Sequence, residues 1–446
     1  MSAPLEKLLR DARIDLILAR VEKDPTIIPE IIKHINSEIR SIRFNAIYAL
    51  GELGEQSSSA LSELVSCLED DDWSICREAV RSIGKMGNVA EQGVLTLSKF
   101  IDNPEESIRK EVAIALGKIG YASNEAISSL VIGLNDSSEV VRKESAEALG
   151  KIGPDAHSAI LDLVNSVKDQ NWSVRTAAVN SLSQIGKGTE RAIPALLKAL
   201  GDKDWRVRKA IIYTLSQIGS DAVPGLLAYM KHYNPIIRKG VTETLGELKL
   251  SEPAILNALS LALQDKKIGI QGKAADSLRN IGKPAIPILI QAIDNPKKQV
   301  RSLAIWAIGG MGNDAIETIP RLIDALKDPK ESVRTEVVRA LGKLGEIAVD
   351  AIPALIESLI DPKPRVRTES AIALGKIGPM ASKAKSALIN SLNDKNIEVI
   401  WRAIEALVKI SPNDPEVISV LKTLEHSKSE LVETAALMAL DSIGKS

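Results

Sequence analysis

Histidine and cysteine are the residue types that most often bind metals or act as catalytic nucleophiles, and this chain has few of either. Its 446 residues include four histidines and two cysteines. Cys67 and Cys76 lack the spacing of paired metal ligands and are too few for a disulfide framework. No GxxxxGKS/T, HExxH or GxSxG sequence occurs, which leaves phosphate-loop, zinc-peptidase and serine-hydrolase chemistry unsupported. We therefore expect no catalytic site, no metal site and no cofactor, and His232 is predicted to cap a helix.

The composition is that of a folded protein whose core must be built from small aliphatic side chains. Hydrophobic residues make up 45% of the chain and charged residues 26%, but aromatic residues only 3%. The formal net charge of -1 gives no overall attraction to nucleic acid or anionic lipid. The chain start lacks the apolar stretch of a signal peptide, and no run of about 18 apolar residues could span a bilayer. Together with the low cysteine content, this predicts a cytoplasmic protein that does not enter membranes.

One short pattern recurs throughout the chain, and we follow it from the position that is usually arginine, called the index position. The index residues are Arg43, Cys76, Arg109, Arg142, Arg175, Arg208, Arg238, Gln271, Arg301, Arg334, Arg367, Ile400 and Glu433. They are 33 residues apart, except for two steps of 30. The residue before each index is Ile or Val, and the residue seven positions later is Leu or Ile. This period predicts an amphipathic helix in every copy.

Each of these helices carries small residues at fixed places. Six residues after the index every copy has Ala, Ser or Thr, and eight after it glycine is commonest, for example Gly117 and Gly150. Glycine inside a helix costs about 1 kcal/mol relative to alanine, so its recurrence predicts close approach of a neighbouring helix. A further glycine, eleven residues after the index in most copies, predicts where the helix ends. A shorter apolar segment with an early proline, such as Pro194 or Pro353, predicts the first helix of the next hairpin.

An aspartate in the turn between the two helices recurs together with an arginine six residues later. The pairs are Asp136/Arg142, Asp169/Arg175, Asp202/Arg208, Asp328/Arg334 and Asp361/Arg367. With these residues the chain resembles the HEAT-repeat family, in particular the short form known as PBS-lyase HEAT-like repeats. The resemblance implies that the aspartate caps the second helix and accepts from the arginine, and that a ladder of such pairs bridges neighbouring repeats.

The predicted fold is all-α, a right-handed α-solenoid of about thirteen HEAT-like helical hairpins. A hairpin with two apolar faces cannot bury both alone, so stacked neighbours share one core. Residues 1–24 contain no full copy and are predicted to form an N-terminal capping helix. Residues 25–446 are predicted to form a single continuous repeat domain, with its C-terminal repeat, about 412–446, as a cap.

Residues one, two, five and nine positions after the index share the helix face opposite the apolar one. The resemblance implies that this face lines the concave groove of the solenoid. The residues predicted to bind a partner there are Phe44, Tyr48, Arg77, Arg81, Tyr213, Trp306, Arg339, Trp401 and Arg402. Candidates at the rim of the groove, three residues before the index, are Trp73, Trp172 and Trp205. Exposed aromatic rings contribute strongly to binding, although each ring could instead lie flat on its own repeat. Glu111, Glu144, Glu336 and Glu369 are predicted to form part of a solvated face.

The leading functional hypothesis is a non-enzymatic scaffold or adaptor that holds a protein or peptide partner in the groove. The alternative is a phycobilin lyase or another tetrapyrrole-handling protein, because similar repeats occur in that family. A HEAT-like DNA glycosylase is less favoured, because basic and acidic residues alternate, as at Lys143 and Glu144, and form no positive stripe. HEAT-like di-iron hydroxylases use His-Glu dipeptides, and no histidine here precedes a glutamate. The partner and the oligomeric state are left open by the sequence.

Overall fold

Helices are the regular structure of this protein in the computed structural model, which describes residues 4–444. No β-strand occurs in that range. The chain divides into two compact units, Met1–Tyr229 and Met230–Ser446, here called unit 1 and unit 2. Each unit is a stack of helical hairpins, and the predicted all-α solenoid fold is confirmed.

Unit 1 begins with a pair of short helices, after which each repeat contributes a short first helix and a longer second helix. The helices are α1 (Leu5–Arg10), α2 (Ile14–Lys23), α3 (Ile28–Lys33), α4 (Arg40–Leu53), α5 (Leu61–Ser66), α6 (Trp73–Lys85), α7 (Val94–Ser98), α8 (Glu106–Ile119), α9 (Asn124–Gly133), α10 (Glu139–Ile152), α11 (Ile160–Ser166), α12 (Trp172–Ile185), α13 (Ile193–Ala199), α14 (Trp205–Ile218) and α15 (Val223–Tyr229). The second helices are α4, α6, α8, α10, α12 and α14, and each packs against the next along the unit.

Unit 2 continues the same alternation of first and second helices. Its helices are α16 (Pro235–Glu247), α17 (Pro253–Ala262), α18 (Ile268–Ile281), α19 (Ile286–Ile293), α20 (Lys298–Ile308), α21 (Ile319–Ala325), α22 (Glu331–Leu344), α23 (Ile352–Ser358), α24 (Pro364–Ile377), α25 (Lys385–Ser391), α26 (Ile397–Ile410), α27 (Pro415–Leu424) and α28 (Glu430–Gly444). The second helices are the even-numbered ones, and each again packs against the next.

The core runs along each unit where a second helix meets its own first helix and the neighbouring second helices. The residue before the index is completely buried in most copies, for example Ile75, Val141 and Val333. The residue seven positions after the index is equally buried, as at Leu149 and Leu341. Burial of one such side chain contributes about 1.5–3 kcal/mol. The apolar residues that recur with a helical period in the sequence therefore form the core-facing side of each second helix.

The helix-interior glycines lie where two second helices come closest. A Cβ atom at Gly117 would lie 2.8 Å from the Cα atom of Ala148 on the next second helix. A Cβ atom at Gly84 would lie 2.8 Å from the Cα atom of Ala115. In both cases the neighbour is the small residue six positions after its own index. The predicted close approach is confirmed, and glycine on one helix and alanine on the next together set the spacing.

The glycine after a second helix ends that helix by adopting a positive φ. Gly120, with φ 68°, follows α8, and its N–H donates to the Leu116 carbonyl at 3.1 Å. Side chains are strained in this left-handed region, so glycine lets the chain leave the helix at little cost.

The first 24 residues contain two helices where the sequence suggested one. α1 and α2 are separated at Ala12, whose φ of 52° interrupts the helical backbone. Leu9 and Ile17 are both fully buried, and both helices pack against α4. The break allows two short apolar faces to reach α4, which one straight helix of this length could not do. Their capping role, like that of residues 412–446 and the single-domain organisation, stays a prediction.

Candidate functional site

Index arginines and turn aspartates form a ladder of ion pairs within each unit. Nε and Nη2 of Arg142 donate to the two carboxylate oxygens of Asp169 at 2.7 and 3.0 Å. Nη1 of Arg142 donates to the backbone carbonyls of Asp136 and Ser137, in the turn of its own repeat, at 2.9 and 3.1 Å. Each such arginine therefore ties its own turn to the turn of the next repeat, with the bidentate geometry that suits a guanidinium and a carboxylate.

The same arrangement recurs along both units. It joins Arg109 to Asp136, Arg175 to Asp202, Arg238 to Asp265, Arg301 to Asp328, Arg334 to Asp361 and Arg367 to Asp394. The carboxylate thus pairs with the arginine of the preceding repeat. The aspartate and the arginine six residues later meet only through the aspartate's backbone carbonyl.

The aspartate does not cap the second helix in the way the resemblance implied. The N-cap residue of α10 is Ser138, whose hydroxyl accepts from the N–H of Val140 at 3.2 Å. Asp136 instead accepts from the N–H of Ser138 at 2.7 Å and so closes the turn before the helix. Its position two residues upstream of the cap leaves its carboxylate free to face the preceding repeat's arginine.

The ladder changes at the index residues that precede the two 30-residue steps. Arg208 keeps its bonds to its own turn, donating to the carbonyls of Asp202 and Lys203 at 2.7 and 3.1 Å. In unit 2, Gln271 donates to the Asp265 carbonyl at 2.6 Å, but its buried Oε1 has no hydrogen-bond partner among the described residues. Glutamine lacks the forked donor needed to reach the next turn as well.

The arginines keep the ladder carboxylates ionised. The hydrogen bond from Arg367, working against burial, holds the pKa of Asp394 below its ordinary value. For Asp169, burial is the largest effect and opposes ionisation, but hydrogen bonds from Arg142 and from the N–H of Asn171 outweigh it and lower the pKa. These carboxylates are therefore charged at neutral pH and act as fixed connections between repeats.

The predicted partner-binding residues of unit 1 lie on the second helices and largely contact neighbouring side chains. The Nζ atom of Lys85 lies 5.1 Å from the ring centre of Tyr48. The guanidinium of Arg77 lies 5.0 Å from the ring centre of Trp73, so a groove candidate and a rim candidate are in contact. Phe44 is half-buried.

Tyr213 is the most open of the aromatic groove candidates. Its side chain is 57% exposed on α14. An exposed tyrosine ring on a regular helix offers a large, stiff contact surface. It is therefore the unit 1 residue most directly available to a partner.

In unit 2, Trp306 lies between two cations from neighbouring second helices. Its half-buried ring centre is 4.7 Å from the guanidinium of Arg279 on α18 and 5.8 Å from Nζ of Lys343 on α22. Each contact has the geometry of a cation–π interaction. The ring is consequently held in place by the repeats on both sides.

The remaining unit 2 candidates are engaged in ion pairs or hydrogen bonds. Arg339 donates through Nε to Glu369 at 2.7 Å. Trp401 donates through its indole N–H to Glu405 at 2.9 Å, and Arg402 donates to Glu405 at 3.0 Å. An apolar cavity of about 220 Å³ opens beside Trp401, between α26 and α28.

The prediction of a solvated face of glutamates is wrong. The side chains of Glu144, Glu336 and Glu369 are only 15%, 17% and 16% exposed. Longer neighbours cover them: Lys143 lies 3.2 Å from Glu144, and Arg339 pairs with Glu369. The sequence period placed them on the correct helix face but gave no measure of how far the basic side chains fold over them.

Glu78 is the most deeply buried glutamate on this face. It is 2% exposed, and its Oε1 has no hydrogen-bond partner among the described residues. Its Oε2 is 3.8 Å from Nη1 of Arg81. Burial raises the pKa of Glu78, the nearby charges of Arg81, Lys85 and Arg77 oppose this, and Glu111 adds to it. The ionised carboxylate is therefore a local cost to the fold.

Replacing Glu78 by glutamine is expected to stabilise the protein by about 1 kcal/mol at pH 8 and to change little near pH 4. Because the folded-state pKa is raised, the fold binds the proton more tightly than the unfolded chain does. The penalty on wild-type stability therefore grows as the pH rises from the unfolded pKa to the folded one. Urea unfolding at both pH values measures it, with the exposed Glu30→Gln as control. An equal effect of Glu78→Gln at the two pH values would contradict this account.

The tryptophans predicted at the rim all begin second helices and remain largely open. Trp73, Trp172 and Trp205 are 48%, 38% and 62% exposed. The guanidinium of Arg206 lies 3.3 Å from the ring centre of Trp172. The ring of Trp172 is therefore partly covered by an arginine of the next repeat, whereas Trp205 is the most exposed of the three.

The sequence patterns did not identify some residues of the ion-pair ladder and of the surroundings of Trp306. They did not identify Asp265 and Asp394 as ladder acceptors, and they did not place Arg279 or Lys343 against Trp306. A spacing of 27 residues from arginine to the next aspartate would have found the first two. The cations against Trp306 depend on the approach of three helices, which no local spacing encodes.

No helix within residues 4–444 is both long and apolar enough to cross a bilayer. In the same part of the chain, no group of three or more His, Cys, Asp and Glu side chains is arranged to hold a metal ion. The thiols of Cys67 and Cys76 are buried and unpaired, and burial raises the pKa of each to about 11.

The helical stack and its ladder define an α-solenoid repeat protein. A family model described as HEAT repeats matches residues 6–84, 61–150, 127–202, 160–232, 223–297, 286–375 and 352–441. The chain belongs to the HEAT-repeat family. A sequence search of curated proteins gave no significant match.

Solved structures of the karyopherin Kap121p are similar in fold. Kap121p alone matches with a TM-score of 0.57 and 18% identity over 95% of this chain and 53% of Kap121p. Kap121p bound to the extreme C-terminus of the protein phosphatase Cdc14p matches with a TM-score of 0.60 and 17% identity, over the same shares. Kap121p bound to Pho4p gives 0.58 and 17% over 93% of this chain and 52% of Kap121p. The chain thus spans about half the length of these structures.

Proposed function

We propose that this protein is a non-enzymatic scaffold or adaptor that binds a protein or peptide partner on its second-helix face. The observation that carries the proposal is the ring of Trp306, half-buried between Arg279 and Lys343. An aromatic ring already held by its neighbours loses little conformational freedom on binding. Tryptophan and arginine are also the residues that most often dominate the energy of protein interfaces.

The chemistry around Trp306 favours a peptide segment as the ligand. Lys343 and Arg279 place hydrogen-bond donors on both sides of an apolar ring, although Arg279 also pairs with Asp276 at 3.1 Å, which reduces its positive charge. An extended segment can place a carboxylate or a backbone carbonyl against the cations and an apolar side chain on the indole. Kap121p, which is similar in fold, has been solved bound to the extreme C-terminus of the protein phosphatase Cdc14p and bound to Pho4p, and this supports a protein partner here.

A phycobilin lyase or another tetrapyrrole-handling protein of the PBS-lyase HEAT-like type is the second candidate. The apolar cavity beside Trp401, at about 220 Å³, is smaller than the roughly 300–1,000 Å³ of small-molecule pockets. Addition of phycocyanobilin is expected to leave its visible absorption bands unshifted. A band shift would favour the pigment-handling function.

The cytoplasmic location stays a prediction.

The test is affinity purification of the full chain from native lysate with quantitative mass spectrometry, repeated with Trp306→Ala. A true partner of this face is expected to be lost in Trp306→Ala. Re-binding of that purified partner should be weakened about 30-fold, which corresponds to the roughly 2 kcal/mol of a strong interface residue.

Two further variants make the comparison specific. Trp306→Phe keeps a flat ring between the cations and should retain most of the binding. Tyr121→Ala removes a 43% exposed ring away from the second-helix face and should bind like wild type. The proposal fails when every captured protein binds Trp306→Ala and wild type equally well.

A further inference from the structure

Two groups of turns that precede second helices carry opposite charge, one group in each unit. In unit 1, exposed acidic residues occupy the turns before α6, α8 and α10, whereas the turns before α12 and α14 carry the exposed Lys168 and Lys203. The acidic residues are Glu69, Asp71, Asp102, Glu105, Glu106 and Glu139, here called the acidic edge. In unit 2, exposed lysines occupy the corresponding places: Lys266, Lys267, Lys297, Lys298, Lys330 and Lys363, here called the basic edge. A chain with a net charge of only -1 therefore carries two strongly charged edges of opposite sign.

The side chains of both edges are available. None of the twelve forms an ion pair with another described residue, and Glu106 accepts a hydrogen bond from the Ser138 hydroxyl at 2.9 Å. The turn aspartates beside the basic edge, such as Asp328 and Asp361, are already neutralised by Arg301 and Arg334. Two other acidic residues lie near the basic edge and reduce its positive charge. They are the half-buried Glu331 and Asp294, which itself pairs with Arg321.

Helix stability does not explain the lysines. Lys267, Lys297, Lys330 and Lys363 are the N-cap residues of α18, α20, α22 and α24, and none makes a side-chain capping hydrogen bond. A positive charge at a helix N-terminus is unfavourable, because it faces the positive end of the helix dipole. The N-caps Asp72 and Ser138 beside the acidic edge show the capping that the same repeat can have. The lysines therefore weaken their own helices, and a surface function accounts for them better.

We infer that the basic edge of one copy of this protein binds the acidic edge of a second copy. The argument is charge complementarity, because both edges follow the turns of successive repeats and carry opposite sign. Each edge lies within one unit, so the contact joins unit 2 of one copy to unit 1 of the other. Complementary charges of this kind direct association and fix register, and they are weakened by salt.

The test uses the full chain in sedimentation velocity over about 1–100 µM at ionic strengths near 0.05 M and 0.5 M. Wild type is expected to reach at least twice the monomer mass at low salt and to dissociate at high salt. Lys297→Glu/Lys298→Glu/Lys330→Glu reverses the basic edge, and Asp71→Lys/Asp102→Lys/Glu105→Lys reverses the acidic edge. Each variant alone is expected to associate about 100-fold more weakly or worse.

Mixing the two variants is the decisive measurement. One variant then carries two acidic edges and the other two basic edges, so an equimolar mixture should regain the pair. Lys283→Glu/Lys376→Glu/Lys383→Glu changes the net charge by the same amount on exposed lysines outside the edge and should associate like wild type. Circular dichroism confirms folding of each variant.

Three results would overturn the inference. They are a monomeric wild type at all concentrations in low salt, a mixture of variants that stays monomeric, or association unaffected by the reversals. Binding of duplex DNA by the basic edge at physiological salt, with no pairing of copies, would assign that edge to nucleic acid instead.

Discussion

Arg175→Met is expected to lower the free energy of unfolding by about 3 kcal/mol, the largest effect we expect of a single substitution. Arg175 is 5% exposed and donates to both carboxylate oxygens of Asp202 at 2.6 and 2.8 Å. It also donates to the carbonyls of Asp169 and Gln170 at 2.9 and 3.0 Å. Methionine keeps the aliphatic stem but leaves a buried carboxylate without its cation. Urea unfolding followed by circular dichroism measures the change.

Three further variants distinguish the contribution of the ladder to stability from the effect of losing a positive charge anywhere on the surface. Arg10→Met removes an exposed pair with Glu6 and should change stability by less than about 0.5 kcal/mol. Arg208→Met should fall between the two, because Arg208 bonds the carbonyls of its own turn. Adding Asp202→Asn to Arg175→Met should recover part of the loss, since the uncompensated charge disappears. An effect of Arg175→Met no larger than that of Arg10→Met would show that the ladder contributes little.

Gly117→Ala is expected to destabilise the protein by about 2 kcal/mol, although alanine is the better helix former. The added Cβ would lie 2.8 Å from both the Cα and the Cβ atoms of Ala148. The obstacle is backbone, so α8 and α10 must move apart along their contact. Loss of packing between neighbouring repeats should appear as a lower unfolding midpoint in urea.

The matched control is Gly272→Ala on α18, where a Cβ atom would have no neighbour within 4 Å. At this position alanine is simply the better helix former, and the free energy of unfolding is expected to rise by about 0.5–1 kcal/mol. The double variant Gly117→Ala/Ala148→Gly removes the contact with the Ala148 Cβ atom but keeps the one with its Cα atom, so it should regain only a small part of the lost stability. Equal effects of Gly117→Ala and Gly272→Ala would refute the close-contact explanation.

The fold was predictable from the sequence because helical hairpins of this kind are specified by local, repeated signals. The apolar period before and after each index residue corresponds to side chains such as Ile75 and Leu149, which are fully buried. The helix-interior glycines predicted a close approach, which the packing of Gly117 on Ala148 confirms. Each repeat contacts chiefly its neighbours, so a local pattern is enough to define the stack.

The ladder and the aromatic site depended on contacts between repeats. Arg142 and Asp136 are close in sequence, yet the carboxylate of Asp136 receives Arg109 and Arg142 reaches Asp169. Trp306 was identified by its position, but the cations beside it come from helices before and after its own. In the same way, burial of Glu78 follows from the side chains folded over it, and no residue-by-residue pattern contains that information.

The sequence by itself determined the class of structure, the helix faces and the absence of any recognised catalytic motif, because these follow from residue types at fixed spacing. Only the tertiary structure decided which aspartate each arginine binds, how far the glutamates are buried and which rings stay open. Those properties depend on distances across neighbouring helices, and such distances arise only when the repeats have packed.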